Sequence, residues 1–232
     1  MNSNGFRFTV QLFAAAVVWL MMAGCQSVPE ATASRGGARV AAVRGGARCS
    51  DASHSWHKLS AGDTLTTGDL IQTALTSAVD IAVGDAGGTD ANRILLQSDT
   101  VLFVEELPGA LATEGGDASL RLHLRLGELT FTSPPSGKGS VCEISFENGL
   151  AGTRGATFKL RSDGQLRVFH GVVVLKSFDD KPARTIPAGN QYDPQTGELT
   201  PIPVGHVADA PTALPAARPS PPQWPPWPAR KY

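Results

Sequence analysis

Leu120-Arg121-Leu122-His123-Leu124-Arg125-Leu126 sets an aliphatic side chain at every second position and a basic one between each pair. Alternation of period two is the signature of a half-buried strand, because successive side chains leave the backbone on opposite faces. The four leucines are therefore expected to face a core, with Arg121, His123 and Arg125 turned to solvent. Working outward, Val79-Asp80-Ile81-Ala82-Val83, Cys142-Glu143-Ile144-Ser145-Phe146 and Ala156-Thr157-Phe158-Lys159-Leu160 alternate too. Val101-Leu102-Phe103-Val104 and Val172-Val173-Val174-Leu175 are continuous apolar runs and are read as strands buried on both faces. Between the runs stand turn signals: Gly62-Asp63, Gly68-Asp69, Asp85-Ala86-Gly87-Gly88, Pro108-Gly109, Glu147-Asn148-Gly149 and Ser162-Asp163-Gly164. No window from 40 to 195 carries an apolar i, i+3, i+4, i+7 pattern over three turns. The expectation is a single all-β domain over 39–195, twisted and either solenoid-like or sandwich-like.

The flanks have a different character. Leu12 to Met22 is an uncharged apolar run, short for a bilayer span and of signal-peptide length. It ends in Met22-Ala23-Gly24-Cys25-Gln26-Ser27, which looks like the lipobox of a bacterial lipoprotein. That resemblance implies a signal peptide over 1–24, lipid on Cys25, and a site of action in the cell envelope. Gln26 in place of aspartate points to the outer membrane, facing the periplasm. The alternative is an uncleaved anchor helix that contains a cysteine. Residues 25–38 are small and polar and read as a flexible tether. Ten of the seventeen prolines fall after Thr196, so 196–232 is expected to be a disordered tail. Its Trp224 and Trp227, set among prolines, are candidate anchors for a partner.

Composition narrows the function. The formal charge is -1, and the first 24 residues carry only Arg7. Neither nucleic acid nor an anionic membrane surface is suggested by such a balance. With Cys25 lipidated, Cys49 and Cys142 remain in an oxidising compartment and form a candidate disulfide. Ser133 to Ser140 resembles a phosphate loop but lacks its first glycine and follows Lys138 with Gly139, so a loop is the better reading. His54 and His57 near Cys49 match no strong zinc spacing. Asp85 and Asp90 do not keep the spacing of a calcium loop. No metal, cofactor or catalytic nucleophile is expected, and the chain is read as a non-enzyme.

One group of motifs goes further. Ala42-Val43-Arg44-Gly45-Gly46 is followed by Trp56-His57-Lys58-Leu59. Then comes the doubled Gly-Asp stretch from Ala61 to Thr73, with Gly62, Asp63, Gly68 and Asp69 at its turns. Later come Leu126-Gly127-Glu128-Leu129, Ala151-Gly152-Thr153-Arg154-Gly155-Ala156-Thr157-Phe158, and Pro187-Ala188-Gly189-Asn190. In order and spacing these resemble the FecR domain, named after the iron-dicitrate sensor of the bacterial envelope; Ala156 stands where that family usually has threonine. The resemblance implies an all-β periplasmic domain in which the glycines, aspartates, Arg154 and Gly155 build the fold. Arg154, bracketed by glycines, is expected to lie on an aromatic or to pair a carboxylate. FecR itself carries a cytoplasmic segment that controls a sigma factor; here only Met1 to Arg7 precede the apolar run, so that role is not carried over. Three readings remain: a binding module for an envelope protein or small ligand through its sheet edges or tail, a spacer that holds the tail, or a component of an envelope-signalling system.

Lipidation at Cys25 predicts that a Cys25→Ala variant leaves the membrane fraction or loses signal cleavage. A variant that stays with membranes as a full-length, uncleaved band, like the parent protein, would show that the apolar run is a simple anchor.

Overall fold

The structure, a computed structural model, describes residues 37–51, 53–84, 91–108, 119–133, 141–179 and 182–203. The signal peptide, Cys25, nearly all of the tether, Asp85 and Asp90, the 134–140 loop and most of the proline-rich tail lie outside them. Every regular element among the described residues is a strand. In chain order these are β1 (Ala38–Arg44), β2 (Ala47–Ser50), β3 (Trp56–Lys58), β4 (Thr64–Leu65), β5 (Leu70–Thr73), β6 (Ala78–Val83), β7 (Asn92–Leu96) and β8 (Val101–Glu106). They continue as β9 (Ser119–Leu126), β10 (Glu128–Thr132), β11 (Val141–Phe146), β12 (Gly149–Thr153), β13 (Ala156–Arg161), β14 (Leu166–Ser177), β15 (Arg184–Pro187), β16 (Asn190–Tyr192) and β17 (Leu199–Pro201).

All seventeen strands join one mixed, open sheet. Its pairings resolve into two leaves. The first runs β4-β1-β6-β7-β10-β13-β14-β16-β17. The second runs β3-β2-β5-β8-β9-β11-β12-β14-β15. Among the described residues, only β9 and β11 pair in parallel. Strand β14 belongs to both leaves: Leu166 to Gly171 pairs with β13, and Val172 to Leu175 pairs with β15. The inner faces of the leaves share one core, in which Leu122, Leu124 and Ile144 of the second leaf join Leu129, Phe131 and Phe158 of the first. The Phe131 and Phe158 rings sit 5.4 Å apart, tilted by 42°. The all-β sandwich follows directly from the period-two pattern.

Four of the crossings between leaves lie on one seam. The crossings are Gly45-Gly46, Ala74 to Ser77, Gln97 to Thr100, and Gly127, and hydrogen bonds run from each to the next. Gly46 N donates to Ser77 Oγ at 2.9 Å, and Ala74 N to Gly46 O at 2.9 Å. Thr100 N donates to Thr73 Oγ1 at 2.9 Å, and Thr73 Oγ1 donates to Gln97 O at 2.6 Å. Thr100 Oγ1 then donates to Glu128 O at 3.0 Å and accepts from Glu128 N at 3.1 Å. The β9–β10 corner consists of Gly127 alone, at φ +86°. A Cβ there would sit 2.5 Å from Thr100 Oγ1 and 2.7 Å from Asp99 O, so only glycine fits.

Three expectations need correction. Leu126 is 55% exposed, while Leu120, Leu122 and Leu124 are buried. The cause is a register shift: Leu102 faces Leu124 but Val101 faces Leu126, so one extra residue bulges and turns Leu126 outward. The β8 run alternates, with Leu102 and Val104 inward and Val101 and Phe103 only half-buried. The Val172 run alternates as well. Val173 and Leu175 are buried, while Val172 and Val174 are 47% and 44% exposed. Both runs lie in the second leaf, whose outer face stays open at these positions. Strand pairing also continues beyond residue 195, through the β16–β17 hairpin, and Ile202 is buried behind it.

The seam predicts that Thr100→Val, which keeps the shape and removes the hydroxyl, leaves the Glu128 N–H without its acceptor. Urea denaturation should show a loss of about 2 kcal/mol. An unchanged midpoint would mean that the seam contributes little.

Candidate functional site

The outer face of β11, β12 and β14 forms a grid set by strand register. Across it, Ser145 faces Leu150 and Leu150 faces Lys176. One row on, Glu143 faces Gly152 and Gly152 faces Val174. Just past the end of β12, at a bend, Arg154 lines the same groove together with Val141 and Val172. Gly152 is thus the central cell, ringed by larger side chains. A Cβ at Gly152 would meet nothing nearer than Val174 O at 3.9 Å, so the space above it is open. The result is a groove of about 440 Å³ lined by Val141, Glu143, Leu150, Arg154, Val174 and Lys176, among others. A strand-interior glycine is a weak packing choice and often marks a place where something approaches the backbone closely.

The electrostatics of this face are unbalanced. Glu143 is engaged by Arg121 at 3.2 Å, and Arg121 also lies 3.6 Å from Glu106. The side chains of Arg154 and Lys176 have no ion pair or hydrogen bond among the described residues. Arg154 therefore departs from expectation: it neither stacks on an aromatic nor pairs a carboxylate, but stands exposed at the rim of the groove. Beside the groove, the predicted outward row is in place. His123 Nδ1 lies 3.5 Å from Glu105, and Arg125 stacks over the Phe103 ring at 5.1 Å.

The doubled Gly-Asp motif is two copies of one turn. Gly62 and Gly68 both have φ +96°. Each aspartate reaches three residues back, and not forward as in an Asx-turn. Asp63 Oδ2 accepts from Ser60 N at 2.8 Å, and Asp69 Oδ2 from Thr66 N at 2.7 Å. Each turn also clasps a strand. Gly62 N and Val40 O meet at 2.8 Å, as do Gly68 N and Val104 O. Asp69 is only 5% exposed. These four residues are structural and lie outside the groove. Gly155 sits at the bend after Arg154, its N–H donating to Thr153 Oγ1 at 3.2 Å. Sequence reading did not assemble the groove. The available signal was Gly152 inside an otherwise regular strand, two residues from Arg154.

The Cys49–Cys142 disulfide is not formed; both thiols are free and buried. Cys49 lies on β2 and Cys142 on β11, with β5, β8 and β9 between them. Four strand spacings amount to about 19 Å along the sheet, well beyond disulfide reach. Burial, with Asp69 adding repulsion, pushes the Cys49 thiol up to about 12. Burial raises the Cys142 thiol as well.

No protein-family model matches the chain, and no curated protein matches it. Among solved structures it is similar to a proposed anti-sigma factor from Parabacteroides distasonis ATCC 8503, with 15% identity and a TM-score of 0.42 over 59% of this chain and 58% of that one. A second structure under the same description gives 13% identity and a TM-score of 0.41 over 56% of this chain and 57% of that one. The chain thus spans less than two thirds of either.

Both thiols stay protonated at neutral pH and out of reach. In the Cys25→Ala protein, iodoacetamide at pH 8 should label neither cysteine before denaturation and both after it, without reductant. Peptide mapping that recovers a Cys49–Cys142 linked pair would contradict the separation.

Proposed function

We propose that this chain is a non-enzymatic, lipid-anchored protein of the cell envelope, held through Cys25 to the outer membrane and facing the periplasm. In this reading its β domain, of FecR type, binds a partner through the outer face of β11, β12 and β14. The observation that carries it is the pairing of an open apolar depression over Gly152 with two cations, Arg154 and Lys176, that nothing in the described residues neutralises. A face that served only as scaffold gains nothing from exposed Val172 and Val174, whose hydration is unfavourable. Attachment by lipid would confine the domain to a membrane surface, where a high effective concentration lets a weak contact suffice. The motifs supply turns and core positions, and no acid, base and nucleophile converge in them, which supports binding over chemistry. The lipobox-like sequence supports the location.

Photo-crosslinking in intact cells tests the reading. A benzoylphenylalanine at Val174 should give a discrete crosslinked product, while the same probe at Leu75, exposed on a turn, should give none. No product at Val174, or equal products at both positions, would favour a spacer that only holds the tail.

A further inference from the structure

We infer that the groove recognises an extended acidic segment in which one bulky apolar residue lies between two carboxylates, each two residues away. The inference rests on the reading above that this face binds a partner. The central cell of the grid is vacant because Gly152 has no side chain, and its walls are Val141, Leu150, Val172 and Val174. Such a socket admits one apolar side chain. The cations stand on either side of it along the strand direction. Lys176 is level with Leu150, two residues before Gly152, and Arg154 is two residues after. Because Arg154 directly follows the end of β12, the separation from Leu150 to Arg154 is at most about 13 Å at the rise of a strand. An extended ligand laid along the face repeats its side-chain direction every second residue with the same rise. A residue seated over Gly152 therefore brings its i−2 and i+2 neighbours over the two cations. The sign of the ligand follows from the charge count on the face. Among the described residues lining the groove the one carboxylate, Glu143, is engaged by Arg121 at 3.2 Å, while neither cation has an ion-pair partner. A basic segment would meet repulsion at both ends.

The test is titration of the isotope-labelled protein, at low ionic strength, with the peptide Gly-Glu-Ser-Phe-Ser-Glu-Gly, blocked at both ends. Two control peptides replace both Glu by Lys, or Phe by Gly. The shifts caused by the acidic peptide should cluster on Gly152, Val172 and Val174, and each control should bind at least ~10-fold more weakly. Gly152→Leu fills the socket without backbone strain, since its Cβ meets only ordinary contact. That variant, and the double change Arg154→Glu with Lys176→Glu, should each weaken the acidic peptide at least ~10-fold. The double variant should also come to prefer the Lys peptide. Thermal melting checks that both variants stay folded. Equal binding of the Glu and Lys peptides, absence of binding, or an unaffected Gly152→Leu would overturn the inference. If that happens while crosslinking from Val174 persists, the face still binds a partner and only the ligand class is wrong.

Discussion

The Thr73–Thr100–Glu128 hydrogen-bond seam is the constraint on which the two-leaf arrangement turns. A chain that passes repeatedly between two leaves must bury its corners, and each corner leaves backbone groups that neither leaf can satisfy. Here the hydroxyls do it. Thr73 Oγ1 and Thr100 Oγ1 each accept one N–H and donate to one carbonyl. Both side chains are fully enclosed. With the corners fixed, the end of β5 and the starts of β8 and β10 are held together at one seam, and the apolar rows behind them meet face to face. The Gly-Asp turns perform the same service at other corners, with aspartate oxygens in place of hydroxyls.

The same economy leaves the second leaf open on its outer side. Strand β14 is long because it serves both leaves, and its second half can bury only the side facing the core. Val172, Val174 and Lys176 are consequently presented outward, in line with the outward residues of β11 and β12. An open face of this kind is a by-product of sandwich geometry, given its character by which residues occupy the outward cells. The glycine at the centre and the cations flanking it are the choices that distinguish it from an ordinary solvated sheet.

Much of the fold was legible in residue order. The leucine row of β9, the alternation of β6, β11 and β13, and the repeated Gly-Asp turns are local signals, and local physics produces them. What was not legible depends on registers between distant strands. A single bulge opposite Val101 reverses Leu126, and nothing in its own neighbourhood announces that. The apolar runs at Val101 and Val172 satisfy a buried strand equally well on one face or two, and only the absence of a covering layer among the described residues decides. Cysteine parity suggested a disulfide, but parity carries no distance, and the number of intervening strands does. For the candidate site, Arg154 was singled out for its neighbours in sequence, while Lys176 joins it only through the β12–β14 register.

The dual membership of β14 also dictates when this domain can exist. In a chain that emerges N-terminus first, β1 to β13 can form partial ladders, but the strand that stitches the leaves together is among the last to appear. Its partners β12 and β13 precede it closely, whereas interior pairings such as β1 with β6 and β7 with β10 join residues far apart in sequence. Non-local closure of this sort is slow. Until Ser177 has emerged, the growing chain lacks its final seam, and its apolar rows remain open to other contacts. Completion of the sandwich is thereby coupled to synthesis of the chain through the end of β14.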